Sequence, residues 1–159
     1  MHHVNWYFWT LLVLSCGYAW WKGGGPERIA AAVYFVAVVF THLARDAAQV
    51  WWTSVEAGVF AVDVGVLLAL LALALTAERF WLLWLTAFHL LGTTGHLVKM
   101  ADPSLIRWGY AFIIAVWSYP MLALIALGTW THQRRVERFG RDRSWSLVVA
   151  GGGGANPWR

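Results

Sequence analysis

Hydrophobic residues run along the chain in five long stretches, and short polar breaks separate them. A helix needs roughly 20 apolar residues to cross the hydrocarbon core of a bilayer. The stretches come close to that length and predict transmembrane helices at about 5–21, 27–43, 55–77, 80–98 and 105–131. The pattern therefore predicts an all-α integral membrane helical bundle with about five transmembrane helices.

The breaks contain residues that end or begin helices. Residues 22–26 end with Pro26, which suits the first turn of the second helix. Residues 44–54 mix charged and aromatic side chains and predict a loop or a short helix lying in the membrane interface. Residues 78–79 predict a tight turn, so the third and fourth helices should form an antiparallel pair. Pro120 predicts a kink within the fifth span.

The composition suits an apolar solvent. Charged residues make up 13% of the chain, whereas soluble domains contain about 25%. Six of the twelve Lys and Arg residues lie beyond His132, so we predict a bundle over 1–132 and a basic, partly disordered cytoplasmic tail over 133–159. We expect this tail to bind anionic lipid. We expect no nucleic-acid partner, because the basic residues lie in a tail rather than on a folded surface.

Basic residues and tryptophans predict the orientation. With the N-terminus outside and the C-terminus inside, nine Lys and Arg residues lie on the cytoplasmic side and three lie outside, as the positive-inside rule requires. Ten of the thirteen Trp residues fall at predicted span ends, where the membrane interface favours them. Lys99 should reach the outer surface through its long side chain. We therefore expect a multi-pass protein of the inner (cytoplasmic) membrane, arranged N-out and C-in.

Two predicted spans carry polar residues, and a charged group such as Asp at a membrane centre costs about 2.5–3.5 kcal/mol. In the third span, Glu56 and Asp63 are seven residues apart and lie on one face of the helix. The fourth span carries a polar stripe within an arc of roughly 80°, made of Thr86, His89, Thr93 and His96.

The short turn between these two helices allows their depths to be compared. In such a hairpin Asp63 lies between the levels of His89 and His96, and Glu56 lies just outside His96. The result is a ladder of alternating imidazoles and carboxylates with steps of roughly 5 Å. The other polar residues expected near these depths are His42, Ser118 and Tyr119.

Three interpretations of this ladder are open. In the first it is structural: Asp63 pairs with a histidine, and threonine hydroxyls bond to neighbouring helices. In the second it binds a divalent metal or a b-type haem. The metal ligands would be His89, Asp63, His96 and Glu56, and the haem ligands would be His42 and His96. In the third it is a proton relay along Asp63, His89 and Tyr119.

The stretch from Glu56 to Val98 combines an Ala- and Leu-rich span, the turn Arg79-Phe80-Trp81 and a helix that carries histidines. In these features it resembles small uncharacterised polytopic proteins of the bacterial inner membrane. The resemblance implies a bacterial cytoplasmic membrane, and it brings no activity, cofactor or catalytic residue with it.

The sequence contains no phosphate-binding loop, no HExxH and no nucleophile elbow. This favours a non-enzymatic role, and no catalytic residue is predicted. We expect an accessory or assembly subunit of a larger membrane complex that contacts a membrane-protein partner or further copies of itself and holds no cofactor. The alternatives are a subunit that binds metal or haem and a proton-coupled membrane protein, both of which would use the ladder.

Overall fold

A computed structural model describes residues 6–48, 57–102, 104, 106–140, 142 and 145, with the backbone alone at 44–48, 107 and 108. Within these ranges the regular structure is entirely helical. The helices are α1 (Trp6–Lys22), α2 (Gly25–Ala48), α3 (Ala57–Thr76), α4 (Phe80–Ala101), α5 (Arg107–Ala115) and α6 (Ser118–Phe139). The predicted all-α fold class is confirmed for the part of the chain that the structure describes.

Three segments are long and apolar enough to cross a membrane: Gly25–Leu43, Ala57–Thr76 and Gly109–Phe139. The last of these includes most of α5 and all of α6. Neither α1, which has only 17 residues, nor α4, which carries the polar stripe, belongs to this group.

The helices pack in chain order and close into a ring. α2 packs between α1 and α3, α3 packs against α4, and α6 lies between α4 and α1. α5 packs mainly on α4. Fully buried apolar side chains from successive helices fill the centre of the bundle, and these include Leu12, Leu70, Leu85, Leu122 and Ile125.

Two glycines allow neighbouring helices to approach closely. A Cβ atom added at Gly128 of α6 would lie 2.5 Å from the ring of Trp81 on α4. A Cβ atom added at Gly95 of α4 would lie 2.8 Å from the Ile113 side chain of α5. Both distances are too short for a real side chain, so the observed packing depends on glycine at these positions.

Large apolar side chains cover the outside of the bundle. Trp21, Phe80 and Leu75 are each more than 70% exposed. A surface with many exposed large apolar side chains favours aggregation in water, whereas lipid chains solvate it. The exterior is therefore consistent with a membrane protein, as are the three long apolar segments.

One predicted element boundary is wrong. α2 continues to Ala48, so residues 44–48 extend that helix, while 49–54 lie outside the described residues. Residues 116–117 divide the fifth predicted span into α5 and α6 at the place where Pro120 predicts a kink, and both residues keep right-handed helical backbone angles. The ring of Pro120 clashes with the carbonyl of Val116 and offers it no N–H, so the helix is interrupted just before the proline.

Candidate functional site

Side chains from three helices form a hydrogen-bonded series that we call the central polar chain: Asp63 of α3, His96 of α4 and Tyr110 of α5. Nε2 of His96 lies 2.9 Å from Oδ2 of Asp63. Nδ1 of His96 lies 2.8 Å from the hydroxyl of Tyr110. His96 and Tyr110 are both almost completely buried, so the imidazole is held through its two nitrogens in the interior of the bundle.

The directions of both hydrogen bonds depend on the protonation state, and they follow directly for an ionised Asp63 beside a neutral His96. An ionised Asp63 carboxylate can only accept, so Nε2–H of His96 donates to it. The neutral imidazole then has a lone pair on Nδ1, which accepts the proton of the Tyr110 hydroxyl. In this state the three groups together carry one negative charge, and a single added proton makes them neutral.

The other histidine of the stripe contacts the same residue of α3 through the main chain. Nε2 of His89 lies 2.9 Å from the carbonyl oxygen of Asp63. A carbonyl oxygen only accepts, so His89 donates this bond, and the neutral ring keeps Nδ1 as an acceptor. The structure thus places Asp63 between His89 and His96, as the depth comparison along the hairpin predicts.

A partly open cavity of about 260 Å³ lies beside Asp63 and His89. Most of its wall is apolar or aromatic. The titratable and hydroxyl-bearing side chains that line it are Tyr34, Thr41, His42, Asp63, His89, Thr93, Ser118 and Tyr119. Asp63 therefore belongs both to the central polar chain and to the cavity wall.

Two residues predicted at the same depths also line this cavity. His42 of α2 stacks on Trp9 with ring centroids 5.1 Å apart, and Tyr119 of α6 meets Phe8 edge to face at 5.9 Å. The three residues of the predicted relay, Asp63, His89 and Tyr119, thus face one common space.

The geometry does not support the haem and metal interpretations. His96 does not line the cavity that His42 lines, and both of its ring nitrogens are hydrogen-bonded, so these two histidines do not form an axial pair. Glu56 lies outside the described residues. Among the described residues, no three His, Cys, Asp or Glu side chains come together as ligands of one metal ion.

Other polar residues of α4 differ from their prediction. The hydroxyl of Thr86 donates to the Leu82 carbonyl, and that of Thr93 donates to the His89 carbonyl. The predicted threonine bonds to neighbouring helices are therefore wrong here, because a carbonyl one turn back on the same helix lies within reach. Lys99 is buried rather than extended to the outer surface.

A second group of charged residues lies where α2 begins, where α3 joins α4 and where α6 ends. We call it the end cluster: Glu27, Arg79, His132, Arg135 and Asp142. Arg79 donates to both carboxylate oxygens of Asp142, at 3.0 and 2.7 Å, and its Nε lies 3.3 Å from Oε1 of Glu27. His132 Nδ1 and Arg135 Nε lie 2.7 and 3.2 Å from Asp142 Oδ2.

The core of the end cluster is nearly sealed, whereas the side chain of Arg135 is 39% exposed. The side chain of Glu27 is fully buried, and those of Arg79 and Asp142 are 4% and 6% exposed. Two carboxylates meet two guanidinium groups, so the formal charges of these four groups balance. Burial raises the pKa of Asp142, but hydrogen bonds from His132 and Arg79 outweigh burial and hold that pKa below its ordinary value of 3.8.

The segment after α6 folds back onto this end of the bundle. Gly140 adopts a left-handed φ of 70° and ends α6, a conformation that glycine accepts without steric penalty. Asp142 then reaches Arg79, and the ring of Trp145 lies 3.1 Å from the position of a Cβ added at Gly25.

The sequence analysis predicts neither Tyr110 nor the end cluster as site residues, and the sequence signals that point to them differ in strength. Tyr110 lies near the outer end of the predicted fifth span, close to the depth predicted for His96, and that depth is a usable signal. Glu27 and Arg79 lie at predicted span ends on the same side of the bundle, which places them near one another without showing contact. Asp142 is 63 residues from Arg79 along the chain, and no periodicity or spacing connects the two.

Comparisons of this chain with known protein families, with curated proteins and with solved structures give no match. The resemblance to small bacterial inner-membrane proteins remains an expectation, and the site has to be interpreted from its own chemistry.

Proposed function

We propose that the chain is a multi-pass protein of the bacterial inner membrane with five spans, its N-terminus outside and its C-terminus inside. In this arrangement α5 and α6 form one bent span. The apolar exterior supports it. So does the end cluster, because a five-span topology requires the start of α2, the α3–α4 turn and the end of α6 to share one side, and their residues are in contact.

We propose further that the protein is proton-coupled. The central polar chain holds one proton and exchanges it with whatever occupies the adjoining cavity. A net charge inside a membrane costs several kcal/mol by most measures, and one proton makes Asp63, His96 and Tyr110 neutral together. The observation that carries the proposal is the position of Asp63, which is bonded to His96 and lines the cavity.

The bond lengths suit such a role. Both bonds of His96 are between 2.8 and 2.9 Å, and an imidazole can take a proton on one nitrogen while it releases another from the second. His89 and Tyr119 line the cavity beside Asp63. Water within the cavity would connect these groups.

Proton uptake by purified protein in liposomes tests this proposal. With a pH gradient across the membrane and a pH-sensitive dye inside, the wild type should acidify the interior and Asp63→Asn should abolish the uptake. Thr94→Val is a matched control on α4, because the Thr94 hydroxyl bonds only within its own helix turn among the contacts described. Uptake that persists in a folded Asp63→Asn protein would refute the proton-coupled role.

A second candidate is the non-enzymatic accessory or assembly subunit. The observation that favours it is internal pairing, since Asp63 is bonded to His96 and Arg79 to Asp142, which leaves an apolar exterior for helix contacts. A partner or second copy that co-purifies and is lost when exposed Phe80 and Trp84 are both changed to Ala would support it. Proton uptake without any such partner would favour the first candidate.

A further inference from the structure

We infer that the cavity beside Asp63 is a binding site for a small organic monocation, an ammonium group attached to an apolar ring or short chain. The inference rests on the proposed proton site, because the bound cation would replace the proton as the counter-charge of Asp63. A molecule of this class would bind as the proton is released.

The size of the cavity sets the scale of the ligand. A dry engineered cavity of about 150 Å³ holds benzene, so about 260 Å³ accommodates one aromatic ring with a substituted ammonium group. A larger polycyclic molecule would require the helices to move.

The charge of the wall selects a cation. Asp63 is the only carboxylate among the described residues that line the cavity, and neither Lys nor Arg is among them. An anion would face a carboxylate without a fixed positive partner, whereas a neutral molecule would gain nothing from that carboxylate and would not replace its proton. The other titratable groups that line the cavity are His42 and Tyr34 from α2, His89 from α4 and Tyr119 from α6.

Aromatic rings complete the site. Phe88 stacks on Trp117 with centroids 5.7 Å apart, and Trp9 stacks on His42 at 5.1 Å. All four rings line the cavity. Aromatic faces attract substituted ammonium groups electrostatically, and they do so more strongly where water is excluded.

Phenyltrimethylammonium and its uncharged isostere tert-butylbenzene form a matched pair of probes. They have the same shape and differ by one positive charge. Binding to purified protein in nanodiscs is followed by tryptophan fluorescence and by calorimetry. Each probe is compared between wild type and variant in the same nanodiscs, so that partitioning into lipid cancels.

We expect wild type to bind the cation, and Asp63→Asn to weaken that binding about tenfold or more while binding of tert-butylbenzene stays within about twofold. Phe88→Leu should weaken cation binding by about threefold or more. If Asp63→Asn does not fold, the effect of Phe88→Leu on cation binding tests the inference instead. Thr94→Val should leave both probes unaffected. Cation binding that Asp63→Asn leaves unchanged would overturn the inference, and so would the absence of cation binding to wild type.

Proton release separates this inference from the proton-coupled function. In a weakly buffered solution, about one proton released for each cation bound supports both. Cation binding that depends on Asp63 but releases no proton would leave the cation site standing and overturn the proton site. Proton uptake in liposomes without any cation binding would support the proton site and overturn the cation site.

Discussion

The bundle buries two groups of charged residues, and they are neutralised in different ways. In the end cluster, the carboxylates of Glu27 and Asp142 meet Arg79 and Arg135, whose guanidinium groups stay charged at any ordinary pH. In the central polar chain, the carboxylate of Asp63 meets the imidazole of His96, a group that gains and loses protons readily.

This difference separates a structural role from a functional one. The end cluster ties three helix ends and the segment after α6 together through guanidinium groups that stay charged, so its expected contribution is to stability. The central polar chain can change its charge, and Asp63 borders a cavity. Buried charge alone therefore does not indicate function in this protein, whereas titratable charge beside a cavity does.

The largest effect is expected from the loss of Arg79. Arg79→Ala leaves Glu27 and Asp142 buried without their main partner and should lower the free energy of unfolding by about 3–5 kcal/mol. Unfolding in mixed micelles, followed by circular dichroism, measures the change. Arg134→Ala is the control, because Arg134 is exposed and lies over the ring of Trp130. Equal stability of the two variants would show that the end cluster does not stabilise the bundle.

A smaller loss is expected from crowding beside the central polar chain. Gly95→Ala places a methyl group 2.8 Å from the Ile113 side chain, which pushes α5 away from α4 and should cost about 1–3 kcal/mol of unfolding free energy. Gly65→Ala on α3 is the control, since a Cβ atom there meets nothing within 4 Å, and it should be neutral or stabilising by about 0.5–1 kcal/mol. The same micelle assay applies, and a Gly95→Ala protein as stable as wild type contradicts the close α4–α5 packing.

Removal of one hydroxyl from the central polar chain should have a still smaller effect on stability. Tyr110→Phe leaves Nδ1 of buried His96 without its partner and should lower the free energy of unfolding by about 1 kcal/mol. The exposed Tyr7 provides the control variant Tyr7→Phe, which should be neutral. Nitrogen NMR of the histidine rings gives a second readout, because only Tyr110→Phe should shift the His96 signals.

The smallest effect on the free energy of unfolding is expected from protonation of Asp142 in the end cluster at acid pH. Hydrogen bonds hold the pKa of Asp142 below 3.8, so its contribution to stability is complete above about pH 4 and is lost as the pH falls through the lowered pKa of the folded state. Asp142→Asn should therefore flatten the loss of unfolding free energy below pH 4 relative to wild type. Parallel curves for the two proteins would show that Asp142 does not contribute.

The contact between α3 and α4 could be predicted because it is local. The turn at 78–79 fixes the hairpin, helix rise then sets the depths, and the regular spacing of polar residues identifies the facing sides. The positions of His89, Asp63 and His96 follow from these facts alone.

The remaining features depend on tertiary packing. The hydroxyl of Tyr110 reaches His96 only because α5 is separated from α6 and packs on α4. Asp142 reaches Arg79 only because Gly140 turns the chain back. The cavity depends on how six helical segments meet, and hydrophobic periodicity carries no information about the space left between them.

Proton flux in the same liposomes through wild type, Asp63→Asn and Asp142→Asn tests the central distinction most directly. Each substitution removes one carboxylate whose side chain is mostly shielded, 15% exposed for Asp63 and 6% for Asp142, so the two variants differ in the position of the lost carboxylate and not in the chemistry of the change. We predict that flux is abolished in Asp63→Asn and retained in folded Asp142→Asn. Equal loss in both variants, or flux that persists in Asp63→Asn, would contradict the assignment of function to the central polar chain.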